Sequence, residues 1–244
     1  MFKISSVAGL MLIAFSCTDK KKGDEKAFQI VEKCIEVHGG KNYRDMNVSF
    51  DFRQFRVHLT QKGGTFVYER TTKDSLNNDI RDILTNNSFT REVNGKKQNL
   101  SQKDTDKYKE GLNAIAYFAL LPYKLSEPAV ILKYLGETSI ENKKYYKIEA
   151  SFEASGGGKD HYDTFCYWIN QAAHTMDFLS YSSGGPRFRK AIQSERVDGV
   201  VFQDYDNYEV PDSTLATFNY DKAFSSGNVK LLSKIQQSNY TSNK

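Results

Sequence analysis

The chain has 244 residues, a formal net charge of +4 and a mean hydropathy of −0.60. That length is enough for one domain with a sizeable core. The small, dispersed positive excess gives no reason to propose nucleic acid as a partner. With 16 Phe and 15 Tyr against 4 Pro, the composition suits strands.

The N-terminus opens on Lys3, continues through an apolar run over residues 7–15, and places small Ser16 before Cys17. This order predicts a secretory signal over residues 1–16, too short to remain as a spanning helix. Ile13-Ala14-Phe15-Ser16-Cys17 resembles a lipobox, although Phe15 is bulkier than usual at its position. Cys17 is therefore the expected acylation site, and several acyl chains there would make a stable membrane anchor. The alternative is ordinary secretion with Cys17 unmodified. Residues 17–26 then read as the lipidated cysteine and a charged, solvated tether. A single domain is expected over 27–222, followed by a polar, loosely ordered tail over 223–244.

Within the domain, Ala27, Ile30, Val31, Cys34 and Ile35 recur at helical spacing up to the Gly39-Gly40 stop. From Val48 the period changes to two. Val48, Phe50 and Phe52 form one phase and Phe55, Val57 and Leu59 the other, which predicts a long strand bent by a β-bulge at Arg53-Gln54. Gly63-Gly64, Asn86-Asn87 and Asn94-Gly95 are turn signals dividing a meander. Residues 104–121 are helical in period and end before Pro122; their last part, 114–121 (AIAYFALL), is apolar on nearly every side. Alternation resumes over 129–135, 144–154, 163–169, 175–182, 188–194 and 200–209. The sum is a mainly β protein with two or three helices. It is expected as a large curved antiparallel sheet, an incomplete β-barrel, with helices covering its concave face.

The chemical candidates are few. Gly156-Gly157-Gly158-Lys159 lacks the Ser/Thr and the following helix that a phosphate loop needs. His161 and Asp163 share a strand face and could serve a metal-assisted hydrolase or lyase, but three or four ligands are normal for zinc. The bland reading is a solvated or structural pair. No metal site and no cofactor is expected, and the strong enzymatic motifs are absent. Arg187, Arg189 and Arg196 read as cross-strand ion pairs with Asp160, Asp163 or Glu195, with an anion-binding cluster as the minority reading. Cys34 and Cys166 are either bridged, in a compartment where disulfides persist, or two buried thiols.

Several segments together resemble an uncharacterised lipoprotein family of Bacteroidota-type bacteria, a domain of unknown function. They are Val37-His38-Gly39-Gly40, Ser49-Phe50-Asp51-Phe52-Arg53, Tyr117-Phe118-Ala119-Leu120-Leu121-Pro122-Tyr123, Tyr134-Leu135-Gly136-Glu137, residues 156–170 and Phe202-Gln203-Asp204-Tyr205-Asp206-Asn207-Tyr208. More distantly, the helix–meander–helix–meander order and Tyr167-Trp168-Ile169-Asn170 resemble the periplasmic lipoprotein carriers and their outer-membrane receptors. That resemblance implies a half-barrel whose apolar concave face, lidded by helices, holds acyl chains. It makes Leu112, Ile115, Tyr117, Phe118, Leu121, Phe165, Tyr167 and Trp168 the expected lid and concave-face residues. The triple-glycine loop departs from the carriers' pattern.

The reading that follows is a non-catalytic, membrane-anchored lipoprotein of the cell envelope, placed at the outer membrane. It would bind an acyl chain, lipid or lipoprotein in a cavity of roughly 300–1,000 Å³. The alternatives are the metal-assisted enzyme and a surface module contacting glycan or an envelope protein through exposed aromatics.

Overall fold

The computed structural model describes residues 22–154 and 163–242; Cys17, the triple glycine and His161 lie outside them. A short β1 (Lys22–Gly23) leads into α1 (Glu25–His38). A first meander follows: β2 (Asp45–Phe52), β3 (Phe55–Lys62), β4 (Thr65–Lys73), β5 (Asp79–Thr85), β6 (Phe89–Val93) and β7 (Lys96–Lys97). Then come α2 (Gln102–Ala119) and a second meander: β8 (Val130–Ile140), β9 (Lys143–Phe152), β10 (Phe165–Asn170), β11 (Met176–Tyr181), β12 (Arg187–Val197) and β13 (Val200–Glu209). The chain ends in α3 (Tyr220–Ser225), β14 (Lys230–Ile235) and β15 (Gln237–Ser242).

The second meander forms an eight-stranded sheet in the order β1-β8-β9-β10-β11-β12-β13-β14, and the first a seven-stranded sheet in the order β15-β2-β3-β4-β5-β6-β7. Every pairing is antiparallel except β1 on β8. Gln236 alone separates β14, paired with β13, from β15, paired with β2. One residue thus carries the chain from the edge of one sheet to the edge of the other. The two sheets curve around a common interior without closing into a barrel.

The phase reversal at Arg53-Gln54 is a two-residue hairpin, where a bulge was expected: Phe52 pairs with Phe55 and Arg53 has φ 54°. A tight turn reverses side-chain phase as a bulge does. Without Gly, Asn or Asp it carries none of the usual turn signals. The second correction is the C-terminus. Residues 230–242, expected as a loose tail, are two paired strands, because the polar side chains there sit on open edges and the sheet edges supply the backbone hydrogen bonds.

α1 and α2 occupy the concave side. Ala27, Phe28, Ile30, Val31 and Cys34 of α1 pack on Leu132, Ile148, Ala150 and Tyr167 of the larger sheet. α2 starts at Ser101, whose hydroxyl accepts the Asp104 amide at 3.1 Å, and stops short of Pro122. Its Leu112, Ala116 and Ala119 face the smaller sheet with Phe50, Val57 and Tyr68, while Tyr117 and Phe118 lean on the interior of the larger one. The helix apolar nearly all round is therefore a wedge between two sheets. Asp82, buried under it, accepts Arg70 Nε at 2.8 Å and Arg91 Nε at 2.6 Å, and Arg70 Nη2 also reaches the Tyr108 carbonyl at 3.1 Å.

The larger sheet is covered on its convex face as well. Tyr145, Cys166, Trp168, Phe178 and Phe188 point outward there and are sealed by Tyr220 and Ala223 of α3, with Lys147 Nζ 3.3 Å from Asp221. Cys34 lies in the inner cluster and Cys166 in the outer one, so both are buried free thiols on opposite faces of the sheet.

Candidate ligand cavity

Between α2 and the region where the two sheets meet, the interior is not filled. A cavity of about 330 Å³ opens there, at the lower end of the size of small-ligand sites. Its apolar wall has three sources. Phe50, Phe52 and Phe55 come from the β2–β3 hairpin, Ala114, Ile115, Phe118 and Ala119 from α2, and Tyr205 and Ile235 from β13 and β14. Ala114 is exposed, and Ile115 and Phe118 are half-buried, so α2 forms one wall without plugging the space.

Five polar residues interrupt this surface: Arg53, Arg70, Arg189, Gln203 and Gln237. Gln237 marks the crossing between the sheets. Its amide donates to the Gln203 carbonyl at 3.1 Å, its backbone N–H donates to Asp204 at 2.9 Å, and its side-chain oxygen is buried without a partner. Tyr205 donates its hydroxyl to Gln203 Oε1 at 3.1 Å.

The arginines differ in how they are paired. Arg70 gives its charge to Asp82 and rests 5.0 Å from the Phe55 ring. Arg189 meets no carboxylate among the described residues. Its Nη2 donates to the Tyr181 hydroxyl, and its Cζ lies 4.5 Å from the Phe118 ring and 4.9 Å from that of Tyr181. Its Nε is buried with no partner. Burial holds the Arg189 guanidinium below its ordinary pKa; the Tyr181 hydroxyl opposes this and the Arg53 charge adds to it.

The expected lid and concave-face residues separate into three groups. Ile115 and Phe118 line the cavity. Leu112, Tyr117, Leu121, Phe165 and Tyr167 are packing residues behind its walls, in the two inner clusters. Trp168 faces the other way, into the convex cluster 5.2 Å from Phe188, because alternation along β10 turns it opposite to Tyr167. Of the His161 and Asp163 pair only Asp163 is described, just before β10. Among the described residues no three His, Cys, Asp or Glu side chains gather as metal ligands would. Arg187 and Arg196 donate to the backbone carbonyls of Pro186, Gly199 and Val37, where cross-strand ion pairs were expected. The described exposed large apolar side chains include one aromatic, Phe218.

Sequence reasoning missed most of the cavity. Phe52 and Phe55 were legible as strand residues, but the bulge reading hid that a hairpin tip brings them together with Arg53. Ile235 and Gln237 fell in the segment read as a tail.

Residues 7–232 match the model of a family described as a family of unknown function, DUF6503. Among solved structures the chain is similar to a LolA superfamily protein from Nitrosomonas europaea, at 14% identity and TM-score 0.48, over 88% of this chain and 92% of that one. It is also similar to a DUF1329 family protein from Desulfovibrio piger, at 7% identity and TM-score 0.40, over 90% of this chain and 94% of that one. A third is the Mycobacterium tuberculosis lipoprotein LppX, at 14% identity and TM-score 0.30, over 67% of this chain and 91% of that one. No curated protein matches. Likeness at this level transfers no activity.

Proposed function

The chain belongs to the DUF6503 family, and we propose that it is a non-catalytic binding protein of the cell envelope that takes an acyl chain into the cavity beside α2. The observation that carries this reading is the cavity itself. About 330 Å³ of space, walled by three phenylalanines of one hairpin and the apolar face of a helix, is left open in an otherwise packed interior. Leaving such a volume unfilled costs stability, since cavities forgo dispersion contacts and burial. An apolar ligand restores both.

The test is displacement of a fluorescent acyl probe from the delipidated protein. Saturable binding at one site, competed by unlabelled fatty acid, is expected; absence of saturable binding contradicts the reading. Anchoring is a separate part of the proposal. The Ile13–Cys17 segment supports acylation at Cys17; the tether to an outer-membrane surface is shorter than the expected 17–26, because Lys22–Gly23 is β1, paired with β8, and α1 begins at Glu25. Mass spectrometry of the protein from membranes should find acyl chains at Cys17, and Cys17→Ala should release it to the soluble fraction. An unmodified N-terminal cysteine would overturn this part alone.

A further inference from the structure

The cavity's charge narrows the class of its ligand. An apolar site usually excludes unpaired charges, because desolvating an ion without a partner is costly. On the same cavity the usual remedy is present at Arg70, which is neutralised by Asp82, an acid that also takes Arg91. Arg189 has no such acid among the described residues. It is held by aromatic rings and a phenol, and its Nε keeps a free donor. Arg53 is exposed at the hairpin tip, lines the same cavity and sits close enough for its charge to act on Arg189. No ion pair of Arg53 occurs among the described residues. Two like charges therefore face one apolar space, and among the described residues neither is paired with a carboxylate, an arrangement that an anion would relieve.

Resting on the acyl-binding reading above, we infer that the ligand is an anionic amphiphile, a single carboxylate or phosphate head on an apolar tail. The head is held by Arg189 and Arg53 and the tail lies among Phe50, Phe55 and Ile115. A guanidinium suits either head, because its fork of donors matches the oxygens of both and its charge strengthens each hydrogen bond. The aromatic rings beside Arg189 fix its plane without supplying a competing anion.

The experiment separates this inference from the reading it rests on. The full mature chain is loaded with a neutral pyrene-labelled acyl ester, then challenged with hexadecanoic acid, its methyl ester and hexadecyl phosphate. Saturable loading of the neutral probe tests the cavity alone; without it both claims fall. Given loading, the acid or the phosphate should compete at least about tenfold better than the methyl ester, equivalent to about 1.4 kcal/mol. Whichever anion is preferred identifies the head. Equal competition by all three overturns the inference while leaving the cavity reading in place. Arg189→Gln should lose the preference for the anion, read as the ratio of acid to methyl-ester competition. Arg53→Gln, at an exposed turn position, should reduce the same preference. If neither substitution changes the anion-to-ester ratio, the assignment of the head group to these arginines is wrong.

Discussion

At the scale of single residues, the interior is tuned by which polar groups are left without partners. His38 shows this away from the cavity. Its Nε2 accepts the Met176 amide at 3.1 Å, so the ring is neutral with its proton on Nδ1. Burial lowers its pKa from 6.5 to about 4, with Asp177 opposing the shift and Arg196 adding to it. The unfolded chain takes up a proton near pH 6.5 that the folded chain refuses until about pH 4. The contribution of neutral His38 is therefore fully present above pH 6.5 and is lost as pH falls toward 4, at about 1.4 kcal/mol per pH unit. Urea unfolding across this window should show His38→Gln with a flatter pH dependence than the parent. Parallel curves would contradict a buried neutral histidine. Arg189 follows the same logic with opposite consequence: a permanent charge placed in an apolar setting has no neutral form to adopt and calls for a ligand instead.

At the scale of elements, α2 and β10 are each two-sided, and their sides do different work. Ala114 of α2 is exposed to the cavity while Leu112 and Ala116 on its other side are fully buried. Ala114→Phe should fill the cavity without touching the core. Acyl-probe affinity is expected to fall at least about tenfold while unfolding free energy stays within about 0.5 kcal/mol. Unchanged affinity would move the ligand elsewhere. Trp168 of β10 makes the complementary case. It is 0% exposed against Phe188 and 5.8 Å from Lys147 Nζ, on the convex face. Trp168→Ala should cost about 3–5 kcal/mol in denaturant titration and leave probe affinity unchanged under conditions where the variant is folded. Loss of binding in the folded variant would contradict the separation of the two faces.

These elements also mark what a sequence reader can and does not see. Periodicity placed both main helices and most strands of the two meanders, because a period of two along Tyr146–Ile148–Ala150 or Phe165–Tyr167–Ile169 marks side chains that share one sheet face. The same alternation set Trp168 on the opposite face from Tyr167; grouping the two as ligand residues came from the family resemblance. What periodicity lacks is distance between elements. Phe52 and Phe55 meet Ile115 and Ile235 only once two meanders and a single-residue crossover at Gln236 are assembled. Arg70 and Arg189 look alike in sequence, and only Asp82, twelve residues from one of them, tells them apart.

At the scale of the molecule, the two sheets, β1 to β14 and β15 to β7 in pairing order, are joined by the chain at Gln236 and lined by two helices. The assembly does not close into a barrel. Leaving it open lets α2 enter as a wedge, and the cavity is the space the wedge does not fill. The convex face of the larger sheet is sealed by α3, which leaves the concave side as the site where an apolar ligand gains most by entering. The most direct test is a crystal structure of the mature protein grown with hexadecanoic acid. Density for the chain between Ile115 of α2 and Phe50 of β2 is the expected result. An empty cavity at saturating ligand, or density confined to the outer surface, would contradict the account.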